Sequence, residues 1–202
     1  MMKNDSKARD SERRTSERGV GLVELMVVVA IVLITSVIAL PNFLKVLRSS
    51  QLSNGATQMA DIIKQARFQA IRRNTSVTCR ISQVSSTTTQ VWVDTNGNSV
   101  MDPGELQTLF VGNVNLVPAG GVPATNSLAT GIGSNVTLTA VSSTAGTYTF
   151  DARGAVSPAA VYVQYVANTA MPSVGYRAVV VLPSGSIQTW TADASGNWHR
   201  LE

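Results

Sequence analysis

The chain has one cysteine, Cys79, and one histidine, His199, in 202 residues. A lone cysteine excludes an internal disulfide, so the fold must stand on its hydrophobic core. Cys79 itself reads as a small buried hydrophobe, with an intermolecular bridge or a labile thiol as the alternative. One histidine and one cysteine supply no nucleophile–base triad, and no metal cluster or phosphate loop stands out, so an enzyme is not expected. No internal repeat is visible. Acidic residues are few, 12 against 16 basic ones. Six of the basic and four of the acidic residues fall within residues 1–19, however, so the remainder is close to neutral. The high sequence pI, about 9.6, is therefore a weak pointer to nucleic acid.

What the chain does have is a long apolar run. Residues 20–40 span 21 positions with one charge, Glu24, and about 20 apolar residues cross a bilayer as a helix. A charge at that depth costs about 2.5–3.5 kcal/mol, so Glu24 calls for a partner. The alternative is a carboxylate solvated at headgroup level. The basic excess of residues 1–19 fits a cytoplasmic N-terminus. A plain signal anchor or a secretory signal is the competing explanation, but the run ends in Ala39-Leu40-Pro41 rather than a small-x-small cleavage site.

Gly19, then Glu24 after a four-residue gap at the head of an apolar helix, resembles the processing site of type IV pilins and type II secretion pseudopilins. Their usual form is a Gly followed by Phe-Thr-Leu-Ile-Glu. This chain keeps the Gly, Leu22, a branched residue at Val23 and the Glu, and it departs at Val20 and Gly21. Pro41-Asn42-Phe43 is similar to the Pro-Asn-Phe of many type IV pilins. The resemblance implies that a prepilin peptidase cuts between Gly19 and Val20 and that Val20 becomes an N-methylated terminus. It implies further that Glu24 pairs with the free amine of a neighbouring subunit's Val20, and that Pro41 bends the helix. The partners it implies are other pilin or pseudopilin subunits, the peptidase and the inner membrane. The β-rich domain would lie in the periplasm before entering a pilus or pseudopilus.

Beyond Pro41 the apolar pattern becomes periodic. Leu52, Ala56, Met59, Ile63, Ala66 and Ala70 recur every three or four residues, one stripe of an amphipathic helix. Lys64, Arg67, Arg72 and Arg73 fall on the polar side or at the C-terminal end, where cations complement the helix dipole. Asn74 is a plausible stop. One helix over residues 20–73, roughly 80 Å long, is expected. From residue 76 onward residues alternate and favour strands at 76–82, 89–94, 107–111, 136–139, 147–150, 161–166, 176–182 and 187–191. Residues 118–135, rich in Gly, Ala, Pro, Ser and Thr, read as a long loop.

The segments 66–74, Val91-Trp92-Val93-Asp94 and Phe150-Asp151-Ala152-Arg153-Gly154 resemble the GspH/FimT subfamily. The expected architecture is α+β: a leader at 1–19, a membrane or filament-core helix at 20–40, its amphipathic continuation at 41–74, and a β-rich periplasmic domain at 75–202 with antiparallel sheet. The resemblance implies a minor pilin that primes or caps a type IV pilus. The alternatives are a type II secretion pseudopilin and a DNA-binding pilin.

Two motifs remain. Asp94, Asn96, Asn98, Val100, Asp102 and Glu105 take the oxygen-ligand spacing of a calcium loop, positions 1, 3, 5, 7, 9 and 12. Ser99 stands where that loop carries Gly, and no helices flank it, so a polar hairpin turn is the other reading. FimT-like proteins carry a basic Gly-Arg-x-Arg element on their last strands; Gly185-Ser186-Ile187-Gln188 here lacks both arginines. Trp190, Trp198, His199 and Arg200 would offer an aromatic and basic site for single-stranded nucleic acid or another subunit. Alternatively Trp190 packs inside and the tail lies in solvent.

Overall fold

The computed structural model describes residues 21–133 and 136–201. Gly19 and Val20 lie outside them. The chain divides into two compact units, one reaching to Phe43 and one starting at Leu44. A single helix, α1 (Leu22–Arg73), runs for 52 residues with Pro41 inside it. It stops because Asn74 takes a left-handed conformation, φ 52°. The Asn74 N–H then donates to Ile71 O at 3.2 Å, and the Thr75 N–H to Ala70 O at 3.2 Å. This pair of bonds satisfies carbonyls that the helix end leaves free.

Eleven strands follow among the described residues: β1 (Val77–Ser85), β2 (Thr88–Asp94), β3 (Gln107–Val111), β4 (Val114–Val117), β5 (Leu138–Ala140), β6 (Thr147–Phe150), β7 (Val156–Ser157), β8 (Val161–Asn168), β9 (Tyr176–Val181), β10 (Ile187–Ala192) and β11 (Trp198–Leu201). They form two sheets, ordered β3-β2-β1-β6-β7 and β11-β10-β9-β8-β4, with β5 joined to β8. Pairing is antiparallel except at β5, which lies parallel to β8 through Leu138↔Val161. The α+β plan expected from the sequence is the one found.

The periodic stripe of α1 explains the main core. Leu52, Ala56, Met59, Ile63, Ala66 and Ala70 are wholly buried, packed with Val77, Cys79, Val91, Val93 and Phe150 of the first sheet and Val166, Val179 and Val181 of the second. Each large side chain so buried contributes about 1.5–3 kcal/mol. Alternate residues of β8 and β9, namely Val163, Tyr165, Ala178 and Val180, face a second core with Leu128, Trp190 and Trp198. Both faces of this sheet are therefore covered.

Three expectations are corrected. The loop expected at 118–135 carries a short helix, α2 (Asn126–Ile132), whose Leu128 is wholly buried in the second core. Val114–Val117 and Val156–Ser157 are strands that alternation does not mark. The C-terminal tail is strand β11, antiparallel to β10 through Trp190↔Arg200 and Ala192↔Trp198.

Candidate functional site

The first candidate surface is the N-terminal part of α1. Leu22, Val29, Leu33 and Val37 are 76, 49, 62 and 74% exposed, and the helix is long and apolar enough to cross a membrane. Its internal hydroxyls need no outside partner. Thr35 Oγ1 donates to Ile31 O at 2.9 Å, and Ser36 Oγ to Val32 O at 2.6 Å. Glu24 differs. It sits exposed in the first turn, where the helix dipole favours an anion, and it has no hydrogen-bond partner among the described residues.

The second surface is the other end of α1, where the segments that carry the family resemblance meet. Arg67 Nε donates to Gly154 O at 3.0 Å, and Arg73 Nη1 donates to Thr95 O at 3.1 Å. The Gly154 loop is shaped by Asp151, whose Oδ1 accepts from the Arg153 and Ala155 amides at 2.9 Å each. Gly185, at φ 76°, is pressed against this loop so closely that a Cβ would run into the Gly154 carbonyl oxygen. Arg72 and Arg73 are exposed at the helix end, beside half-exposed Phe68 and Ile71.

The loop from Asp94 to Glu105 is braced from within. Asp94 accepts from Arg80 Nε at 2.7 Å, from the Gly97 amide at 2.7 Å and from the Ser99 amide at 3.0 Å. Burial opposes its charge, but these donors overcome that and hold the carboxyl below its ordinary value. Asp102 Oδ2 accepts from the side-chain amides of Asn96 and Asn98 at 2.6 and 2.7 Å. Glu105 accepts from the Thr95 and Asp102 amides at 2.8 and 3.2 Å. Val100 is exposed, and its amide donates to Asn98 Oδ1 at 2.8 Å. Ser99 takes the left-handed turn at φ 66° without glycine's freedom. The Arg80 guanidinium thus occupies Asp94 Oδ2, the first carboxylate of the series, in this arrangement. No group of three or more His, Cys, Asp or Glu gathers as a metal site among the described residues.

The tail set divides. Trp190 and Trp198 are each 4% exposed. Trp198 Nε1 donates to Ala124 O at 3.1 Å, and its ring lies 5.8 Å from that of Tyr165. The expected stacking platforms are therefore core residues, while His199 and Arg200 alone are exposed. Cys79 is wholly buried, and burial pushes its thiol up to about 12. Sequence reasoning passed over Arg177, which is 8% exposed on β9. The available signal was its isolation: it is the single charged residue between Arg153 and Asp193, in an otherwise apolar strand.

The family described as type II transport protein GspH matches residues 55–185. No curated protein matches the chain. Two crystal forms of the type IV minor pilin FimU from Pseudomonas aeruginosa, strain PAO1, match at 12% identity and a TM-score of 0.47 each. One alignment covers 75% of this chain and 98% of FimU, the other 76% and 94%.

Proposed function

The chain belongs to the GspH family of type II transport proteins, and from that premise we propose that it is a minor pilin or pseudopilin whose activity is assembly. The observation that carries this reading is the exposed apolar half of α1 with a single acid in its first turn. These side chains are exposed among the described residues. In lipid, helices associate through close packing and polar pairing rather than through the hydrophobic effect. Glu24 sets the register by pairing with the amine of a neighbouring subunit, and that amine belongs to Val20 once the peptidase has cut after Gly19 and methylated it. Pro41 shapes the helix where the apolar run ends. The chain passes once through the inner membrane, holds its β domain in the periplasm, and enters a filament to prime or cap it.

The Pro41-Asn42-Phe43 element leans towards a type IV pilus, and the description of the matched family favours type II secretion. DNA capture is the third reading, and it has lost its two tryptophan platforms. A salt-dependent gel shift by the β domain would revive it. The intact mass of the protein from its native membrane tests the main reading. A chain starting at methylated Val20 is expected. A chain that keeps residues 1–19 in cells with active prepilin peptidase would overturn it.

A further inference from the structure

Strand β3 stands at one end of the first sheet, with β2 on one side and no strand on the other among the described residues. The Val93 N–H donates to Leu106 O at 2.9 Å, and the Gly112 N–H to Thr87 O at 3.1 Å. Between these bonds the register runs Val91↔Thr108 and Thr89↔Phe110. Bonded and non-bonded pairs alternate along an antiparallel ladder, so residues 106, 108, 110 and 112 turn their main-chain groups to β2. Gln107, Leu109 and Val111 turn theirs outward, and their N–H groups have no partner among the described residues. Leu109 and Val111 are also 50 and 65% exposed.

An open edge is a template for a further strand, and folded proteins commonly blunt it with charge, proline or short length. The other edges among the described residues are blunted. β7 has two residues and precedes Pro158, β5 has three, β4 runs into Pro118, and β11 carries His199 and Arg200. β3 has none of these devices, and no residue from 106 to 150 is charged.

α1 runs beside this edge in the opposite direction. Arg48, Gln51, Asn54 and Gln58 line a cavity of about 390 Å³ with Leu109 and Val111. Asp61, Ile62 and Gln65 line the next, of about 340 Å³, with Leu106 and Gln107. The groove therefore carries a cation at its Val111 end, an anion at its Gln107 end and carboxamides between them.

We propose that β3 pairs antiparallel with β3 of a second copy of this chain, centred on Leu109. Turning the strand about that residue sets Leu109 opposite Leu109 and Gln107 opposite Val111. Each of these residues then presents both main-chain groups to the other strand, and about six bonds close the seam. The same turn brings the Arg48 end of one groove beside the Asp61 end of the other. Main chain, apolar side chains and charge are thus all self-complementary, which is what a two-fold contact requires and a foreign strand does not. Such a contact uses one patch twice, so it makes a pair and does not propagate. It involves only the unit that starts at Leu44 and does not rest on the membrane-spanning reading of α1.

The test uses the full-length Leu109→Cys chain in its native membranes, oxidised and separated without reductant. Opposed Cα atoms of a bonded pair lie about 5.5 Å apart, within the reach of a disulfide, and buried Cys79 takes no part. A band at twice the mass of the chain is expected, identified by mass spectrometry as two copies joined through position 109. Val84→Cys, exposed on β1, should give none. Adding Asp61→Arg should slow crosslinking about twofold to fivefold by facing Arg48 with a like charge, and adding Arg48→Asp as well should restore it. Light scattering of the detergent-solubilised wild type should give the protein mass of a pair. Leu109→Lys sets like charges directly opposite each other and should give a single chain with an unchanged melt. Leu109→Pro, which removes an N–H that β2 does not use, should do the same. A Leu109→Cys chain that forms no disulfide, or forms one only with a different polypeptide, would overturn the pairing. So would a pair that survives both Leu109→Lys and Leu109→Pro. Normal filament incorporation of a Leu109→Cys chain that never crosslinks defeats this inference alone, whereas a chain that crosslinks but never enters a filament defeats the filament reading alone.

Discussion

Along α1, Val29, Leu33 and Val37 are 49, 62 and 74% exposed, while Leu52, Met59 and Ile63 of the same helix are wholly buried. The residue types are much alike. The difference lies in arrangement. Apolar side chains all round a helix leave it no side suited to water. A stripe at three- and four-residue spacing leaves a polar face free and lets the chain's own sheets provide the cover. One helix therefore joins an apolar surface left exposed to a surface used for folding.

The contrast can be broken most violently with a charge. Ile63→Asp buries a carboxylate with no partner and is expected to cost about 4 kcal/mol or more, abolishing a cooperative melt by circular dichroism. Val29→Asp should leave the domain's melt unchanged and instead weaken membrane retention in carbonate extraction. A milder pair is Leu52→Ala, expected to cost about 2–5 kcal/mol in denaturant unfolding, and Leu33→Ala, expected to cost close to nothing there. Gly185→Ala adds a Cβ at φ 76° against the Gly154 carbonyl and should cost more than about 1 kcal/mol.

The Arg80–Asp94 pair gives a smaller effect, read against pH. The folded-state pKa of Asp94 is depressed, so its contribution is fully present above the unfolded carboxyl value of about 4. It fades as pH falls through the lower folded value, because the unfolded chain takes up the proton first. Asp94→Asn should flatten that acid limb in melts between about pH 5 and about pH 2. Smallest of all on stability is Glu24→Ala. Its melt should match the wild type and cleavage after Gly19 should proceed, yet the subunit should be missing from filaments; normal incorporation would remove Glu24 from the register role.

Sequence made the helix legible because its two periods are strong and local. The spacing from Leu52 to Ala70 named the buried face, and Asn74 marked the stop through its tolerance of left-handed backbone. The runs at 107–111 and 147–150 are strands as alternation predicts. What stayed hidden depends on contacts remote in sequence. No residue from 106 to 150 is charged, so nothing local distinguished α2 from loop; Leu128 is helical because a second core awaits it. Trp190 and Trp198 looked like platforms because aromatic type says nothing of which face of a sheet is covered. The ion pair of Asp94 with Arg80 was hidden too, because Arg80 lies on the neighbouring strand. The family match itself begins at residue 55, and the processing site at Gly19 and Val20 is what the resemblance to the prepilin motif implies.

Cys79 has a practical consequence. A thiol that is wholly buried and pushed to about 12 is silent towards maleimides at neutral pH, since the thiolate is the reactive form. The wild-type chain thus serves as its own unlabelled background. A cysteine placed on Phe68, Arg72 or Leu109 would be the one reactive handle, and crosslinks formed through it would map which faces meet another subunit in the proposed filament.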